Sequence, residues 1–324
     1  MGAGMKDISL RVLVIGSINL DYRWRVAAFP VPGMTTGASF AGTEPGGKGL
    51  NQARAARRLG DGVSLAGALG RDAAGEAVVR ELDTLGIQPA ISFIEGATGQ
   101  ALVVIADSGE NYILHDAGAN ALWPVSAALA ALRGHAGPVL VPSEFPSRLL
   151  AGILKAATPA QRIYLDGGPS MVTDPALLRQ AHVFSPNHSE LEQVLGVSVT
   201  TLADVRGALL RFRDWGIAKP VLKLGAQGAA ICSGADCYLV PAAPVHAVDT
   251  TGAGDCFMAA LAHAMESGMD DLSAVAWANC SAALSVTRQG VAESFPAKEE
   301  VDGLYGAREW PEPLRIVAGD ARRL

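Results

Sequence analysis

The chain alternates between two kinds of segment, and that alternation limits its fold more than any other feature. Short, nearly unbroken apolar runs lie at Arg11–Ile15, Val63–Ala66, Val139–Val141, Arg162–Leu165 and Val221–Leu224. Longer stretches of helical period lie between or after them, at Gly47–Leu59, Ala73–Leu85, Ser147–Ala157, Leu202–Trp215, Ala253–Glu266 and Leu272–Val286. A strand that is apolar on both sides must be covered on both faces, and strands joined through helices run parallel. The pattern therefore predicts a three-layer α/β/α fold around a mostly parallel central sheet. Two segments break the rhythm: Tyr22–Gly42, which contains Pro30 and Pro32, and Gln100–His115, centred on the turn-rich Asp107-Ser-Gly-Glu-Asn111. They predict a small β-sheet lid inserted into the α/β body. Periodicity fades from Trp310-Pro-Glu-Pro313 onward, so the reading is one domain over residues 10–306 with a peripheral tail over 307–324.

Composition narrows what such a fold can serve. The chain has 26 Lys and Arg against 32 Asp and Glu, a net charge of −6, and no basic run stands out. A nucleic-acid surface or an anionic membrane surface is disfavoured, while a local cationic pocket for a phosphate is not. The longest uncharged stretches, Ala117–Leu132 and Leu272–Thr287, fall short of the ~18 apolar residues a membrane span needs. Lys6, Asp7 and Arg11 interrupt the N-terminal apolar residues, which is not a secretory pattern. Cys232, Cys237, Cys256 and Cys280 form no C-x-x-C pair, and a chain of 324 residues needs no disulfide staple, so all four are expected to be reduced core residues of a cytoplasmic protein.

Two glycine-rich strings carry chemistry. Gly42-Thr-Glu-Pro-Gly-Gly-Lys-Gly49 has the G-x-x-x-x-G-K spacing of a P-loop, but Gly49 stands where the Mg²⁺-binding hydroxyl would be. What the string offers is close backbone approach at Gly46 and Gly47, with Lys48, Asn51 and Gln52 as donors at a helix start, chemistry that suits a polar small molecule. A purely structural turn would read the same way. The second string, Asp249-Thr-Thr-Gly-Ala-Gly-Asp255, runs into an apolar helix; Gly252, Ala253 and Gly254 free successive amides as an anion hole, and Asp255 sits in the first helical turn beside it. A carboxylate there can take the proton of an attacking alcohol, or can simply stabilise the helix start.

Taken together, the motifs resemble the ribokinase-like (PfkB) carbohydrate kinase family. Gly16-Ser-Ile-Asn-Leu-Asp21 is similar to the family's opening motif, Gly46-Gly-Lys-Gly-Leu-Asn-Gln-Ala53 to its first signature, and Asp249–Asp255 to its second. Asp107–Asn111, Gly118-Ala-Asn120, Ser185-Pro-Asn-His-Ser-Glu190 and Ala283–Pro296 are similar again, so the likeness runs from about residue 11 to 306. The resemblance implies ATP-dependent phosphorylation of a sugar's primary hydroxyl, with D-ribose to D-ribose 5-phosphate the leading case. It places Asn19, Asp21, Gly47, Lys48, Asn51 and Glu144 around the sugar, and makes Asp255 the base. It assigns Asn187, Lys223, Gly225, Gly228 and Asn279 to the nucleotide, with Glu190 organising Mg²⁺ through water. It also implies a K⁺ held by the loops of Asp249 and Thr251 and of Ser285, Arg288, Gly290 and Ser294. A small isolated lid sheet has edges to protect, so a homodimer paired through the lids is expected. Two departures stand out. Asp166-Gly-Gly-Pro169 replaces an Asn-Pro-containing segment, and Lys223 stands where Thr is frequent. They leave open a kinase for another sugar or a nucleoside, and, in another class, a sugar- or nucleotide-binding regulator without catalysis.

Overall fold

A computed structural model describes residues 10–108, 110–169, 171–307 and 311–324. The N-terminal reading at Lys6 and Asp7, Gly109 at the hairpin centre, and Trp310 at the start of the expected tail lie outside the described residues. In chain order the elements are β1 (Arg11–Ile15), β2 (Asn19–Val26), β3 (Ala38–Gly46), α1 (Lys48–Arg58), β4 (Gly62–Gly70), α2 (Ala73–Leu85), β5 (Gln88–Ile94), β6 (Gly99–Ala106), β7 (Asn111–Asp116), α3 (Ala119–Leu122) and α4 (Val125–Leu132). They continue with β8 (Gly137–Pro142), α5 (Ser147–Ala156), β9 (Gln161–Asp166), α6 (Pro175–Leu178), β10 (Val183–Ser185), α7 (His188–Leu195), α8 (Leu202–Asp214), β11 (Lys219–Lys223), β12 (Ala229–Ser233), β13 (Asp236–Val240), α9 (Ala253–Glu266), α10 (Asp271–Val286), α11 (Lys298–Ala307) and β14 (Leu314–Ile316).

Among the described residues, ten strands form one sheet in the order β14-β13-β12-β11-β10-β9-β8-β1-β4-β5. From β11 to β5 every pairing is parallel; β12, β13 and β14 extend the sheet antiparallel. Alternation along β1 shows the layering: Val12 and Val14 join a core with residues of α1, α9 and α10, while Leu13 and Ile15 join one with residues of α4, α5 and α8. Helix α9 is buried without a break from Asp255 to Ala264, and each large apolar side chain so covered contributes roughly 1.5–3 kcal/mol. The predicted α/β/α layers are therefore present. No described helix is long and apolar enough to cross a membrane.

The lid is a second sheet of four strands, in the order β3-β2-β6-β7. It is wider than the predicted limits because β2 begins at Asn19 and β3 runs on to Gly46, which ties the lid directly to the opening of α1. Its two faces differ. Register places Arg23 opposite Val103 and Arg25 opposite Ile105 on the inward face. Phe40, Trp24, Val104 and Tyr112 form a row across the outward face.

Two expectations are corrected. Cys232 and Cys237 are joined in a disulfide, because the β12–β13 hairpin sets them directly opposite each other; Cys256 and Cys280 are free and buried as expected. The C-terminal segment is not merely peripheral. Leu314–Ile316 completes the sheet edge beside β13, Ile316 is buried, and Arg323 bridges to Thr201.

Candidate active site

The chain leaves β1 to build the lid and returns through β4 on one side of β1, while β8 lies on the other. Such a switch in direction opens a crevice at the carboxyl ends of the strands, where α/β sheets bind ligands. Ser17 and Asn19 follow β1, Glu144 follows β8, Asp166 ends β9, Asn187 follows β10 and Lys223 ends β11. Among the described residues, two cavities lie at this edge. The larger, about 660 Å³, is lined by Lys48, Asn187, Lys223, Gly225, Gly228 and Asn279 together with Gly252, Ala253, Gly254 and Asp255. The smaller, about 460 Å³, lies under the lid between Asp21, Arg23, Arg25, Glu44, Asn51 and the Asp249–Thr251 loop.

Asp255 is the joint between them. It lines the larger cavity, and its Oδ2 accepts from Asn51 Nδ2 at 3.1 Å, while Asn51 lines the smaller one. Its Oδ1 accepts from Gln52 Nε2 at 3.2 Å. Burial, with Asp166 and Glu144 nearby, outweighs Lys48 and the Asn51 amide and pushes its carboxyl up to about 6. The amides that open α9 precede it. Gly252 holds φ +77°, and a Cβ there would come within 2.8 Å of Val291 Cγ1, so the turn accepts no side chain.

Under the lid, Asn19 Oδ1 accepts from Asn120 Nδ2 at 3.0 Å, fixing which way its amide faces. Asp21 packs on Gly46 so closely that a Cβ there would lie 2.2 Å from its carboxylate oxygen. Its Oδ1 is buried without a hydrogen-bond partner, and burial together with Glu144 and Glu44 pushes the carboxyl up to about 7. Glu144 Oε2 accepts from Ser17 Oγ and, at 3.0 Å, from the Lys48 amide, so it caps α1 just after Gly47.

Lys48 and Glu190 take places that their residue types alone do not reveal. Lys48 Nζ turns from the lid cavity and donates to Asp166 Oδ2 and Gly167 O, each at 3.0 Å. Burial works against its charge, but Asp166, Asp255 and Glu190 outweigh it and hold the ammonium well above the ordinary lysine range. Glu190 closes a capping box with Asn187, accepting from the Asn187 amide at 2.7 Å while Asn187 Oδ1 accepts from the Glu190 amide at 2.9 Å. Its carboxylate lies over Gly167, where a Cβ would collide with it at 1.9 Å. Asn279 Nδ2 donates to Val240 O at 2.9 Å.

The loops expected to hold a monovalent cation are adjacent. Asp249 stitches them together, its Oδ1 accepting from the Thr251 amide at 3.0 Å and its Oδ2 from the Gly290 amide at 3.1 Å. Ser285 Oγ and Ser294 Oγ donate to Ala282 O and Val291 O, both at 2.8 Å, and Arg288 Nη1 donates to Ser294 O at 3.4 Å. Sequence reasoning left Asp166 without a role, although an acidic residue ending an apolar strand at the ligand edge was a signal. It is fully buried, and Lys223 and Lys48 hold its carboxyl below the ordinary range against the effect of burial.

Residues 9–298 match the family described as pfkB family carbohydrate kinase. The chain belongs to that family. The ribokinase of Bacillus subtilis is 34% identical over 90% of this chain and 98% of its own. The ribokinase of Thermotoga maritima superposes with a TM-score of 0.84 at 28% identity, covering 92% of this chain and 99% of its own. Arabidopsis thaliana ribokinase, solved with ribose and ATP, gives 0.82 at 30% identity over 94% and 100%. The chain is thus a carbohydrate kinase of the ribokinase-like kind.

Proposed function

We propose that the protein transfers the γ-phosphoryl group of ATP to the primary hydroxyl of a pentose, with D-ribose giving D-ribose 5-phosphate. The observation that carries this reading is the position of Asp255, between a cavity large enough for a nucleotide and a smaller polar one under a lid. The names of the relatives, one of them solved with ribose and ATP, support the same pair of substrates. A furanose needs several directional partners, and Asp21, Arg23, Glu44 and Asn51 present donors and acceptors to the lid cavity, with Asn19 buried beside it at the start of β2. The orphaned Asp21 Oδ1 is an acceptor that a sugar hydroxyl would satisfy.

In this mechanism Asp255 accepts the proton of the hydroxyl as its oxygen attacks the γ-phosphorus, the bond to the β-phosphate oxygen breaks, and ADP leaves. A carboxyl held at about 6 is ionised at neutral pH and still basic enough for the task. The amides of Gly252 and Gly254 are the donors for the charge that gathers on the transferring group, the Ala253 amide being held by Thr250 O at 3.3 Å, and closure of the lid excludes competing water. Asn187, Gly225, Gly228 and Asn279 line the space for the nucleotide, with Lys223 beside its phosphates.

Mg²⁺ would neutralise phosphate charge and orient the γ-phosphoryl group. Among the described residues no cluster of three or more ligating side chains surrounds a metal position, which fits an ion carried largely by phosphates and water, with Glu190 beside it. K⁺ would be held by backbone oxygens of the Asp249 and Ser285–Ser294 loops, which the Asp249 carboxylate joins through two amides. A homodimer through the lids is supported by the outward row, in which Phe40 is 55% and Tyr112 58% exposed. A second reading, a sugar larger than a pentose, is favoured by one observation: the lid cavity continues past Asp21 to Arg23, Arg25 and Glu44.

Turnover of ribose, fructose and adenosine with MgATP and K⁺, by the protein and its Asp255→Asn variant, tests the reading. Ribose should be the best substrate, and the variant should lose at least ~10²-fold in kcat while still binding sugar. Wild-type turnover by the variant would remove Asp255 from the role of base.

A further inference from the structure

The most deeply buried charges at the site centre on a residue to which neither cavity assigns a task. Asp166 Oδ1 accepts from Lys223 Nζ, and its Oδ2 accepts from Lys48 Nζ and Gln52 Nε2, each of these at 3.0 Å. Its own carbonyl accepts from Ser143 Oγ at 2.8 Å, which anchors the end of β9 to the segment after β8. The same Gln52 nitrogen lies 3.2 Å from Asp255 Oδ1. The Lys223 ammonium lies 3.6 Å from the point where a side chain at Gly254 would begin, beside the amides that open α9. One carboxylate thus grips a lysine from the start of α1 and another from the end of β11, and reaches Asp255 through a single amide. Two ammoniums on one carboxylate repel each other, and without Asp166 the carboxylates left acting on Lys48 are Asp255 and Glu190, while Lys223 already lies beside Gly254, the residue before Asp255. A direct lysine–Asp255 pair would occupy the oxygen that must take the substrate proton.

We propose that Asp166 is a positioning residue for phosphoryl transfer, fixing Lys48 and Lys223 beside the opening of α9 and keeping both ammoniums from pairing with Asp255. The inference rests on reading the larger cavity as the phosphoryl-donor site. It gives the two departures from the family pattern one physical account, since the lysine at 223 and the carboxylate at 166 are partners. It also makes Gln52 a divided donor, restrained from turning wholly onto Asp255.

Asp166→Asn keeps the shape and removes the charge. Its kcat should fall ~10–100-fold with the sugar KM within ~3-fold, because misplaced groups at the reacting centre impair the transition state more than binding. The acid limb of the kcat–pH profile should move to lower pH, since losing a negative neighbour and gaining a nearby lysine both favour ionised Asp255. A merely structural role would lower folding stability and leave that limb in place. Amine acylation mapped by mass spectrometry gives a readout independent of turnover: Lys48, which loses the carboxylate that does most to favour its charge, should react several-fold faster. The double variant Asp166→Asn/Lys223→Thr, which also removes a side chain from the nucleotide space, should lose less kcat than the two single variants' losses combined, because the two side chains act as one unit. If Asp166→Asn does not fold, the double variant carries the same measurements at Lys48 and on the acid limb. An unmoved acid limb with unchanged lysine reactivity overturns the proposal. Should the parent protein turn over none of the sugars, the acylation rates alone decide: faster labelling sustains Asp166 in this role, unchanged labelling ends it, and the missing turnover counts against the proposed function instead.

Discussion

The two cavities at the active edge are held by different physics. The larger stands on the carboxyl ends of parallel strands whose side chains are buried on both faces, and the glycine-rich turn that lines it opens a helix buried from Asp255 to Ala264. Its geometry is set by close packing, which tolerates little displacement. The smaller is roofed by a separate four-stranded sheet bearing Asp21, Arg23 and Arg25 on its inward face. That roof is joined to the loop after α10 by a partly exposed polar contact, Glu44 Oε1 accepting from the Ala292 amide. Damage to the body should therefore appear in the chemical step, and damage to the lid in sugar binding.

The sharpest break in that comparison is Gly252→Ala. The new Cβ meets Val291 Cγ1 at 2.8 Å and the φ of +77° is strained for alanine, so the amides at the opening of α9 must shift. Losing the aim of one such donor reduces kcat ~10²–10³-fold. Sugar affinity, measured by calorimetry without nucleotide, should stay within ~3-fold, since the lid cavity makes no use of those amides. If sugar affinity collapses along with kcat, the two cavities are not separable.

What the sequence made legible follows the same division. Helices α2 and α9 read to their ends because Asp72 caps the first, Gly86 stops it, and the second is apolar almost throughout. The parallel strands read well because both faces are apolar. The β12–β13 hairpin and its disulfide did not, because Cys232 and Cys237 become neighbours through strand register, which a scan for metal or C-x-x-C spacing does not test. Strand β14 was missed since three residues between prolines and charges carry no period. At the site, Asp21 and Asn51 line one cavity and Asn187, Lys223, Asn279 and Asp255 the other, all residue types that the motifs had singled out. The motifs could not give direction: Lys48 reaches Asp166 over 118 positions of sequence, and only the layering of β9 beside β8 shows it.

A smaller effect should follow from Asp21→Asn, which tests whether the lid residue serves binding at a cost to the fold. Burial raises this carboxyl to about 7, so its ionisation opposes folding; the penalty begins above the unfolded value near 4 and is complete above about 7. The asparagine variant should be more stable at pH 8, with Tm higher by ~2–4 °C, and no different at pH 3, where both states are protonated. Sugar affinity should fall ~10-fold with loss of a charged acceptor, while kcat at saturating sugar falls less. A variant that melts lower than the parent at pH 8 contradicts the account of Asp21.

The gentlest test is Glu44→Ala. Glu44 Oε2 accepts from Arg23 Nη1 at 3.3 Å within the lid, and its Oε1 accepts from the Ala292 amide at 3.4 Å in the body. Arg23 Nη1 also lies 3.8 Å from the place a side chain at Gly290 would occupy, so the pair straps the lid to the loop that Asp249 holds. Both side chains are partly exposed, at 22% and 30%, and such an ion pair contributes under about 1 kcal/mol. The sugar KM should rise ~2–5-fold with kcat nearly unchanged, and Glu44→Gln, which keeps an acceptor for the Ala292 amide, should fall between the two. Hydrogen exchange over residues 288–294 should quicken in the alanine variant and stay near the parent in the glutamine one. If kcat rather than KM responds, the strap reaches the anion hole through Asp249, and the lid takes part in the chemical step as well as in holding the sugar.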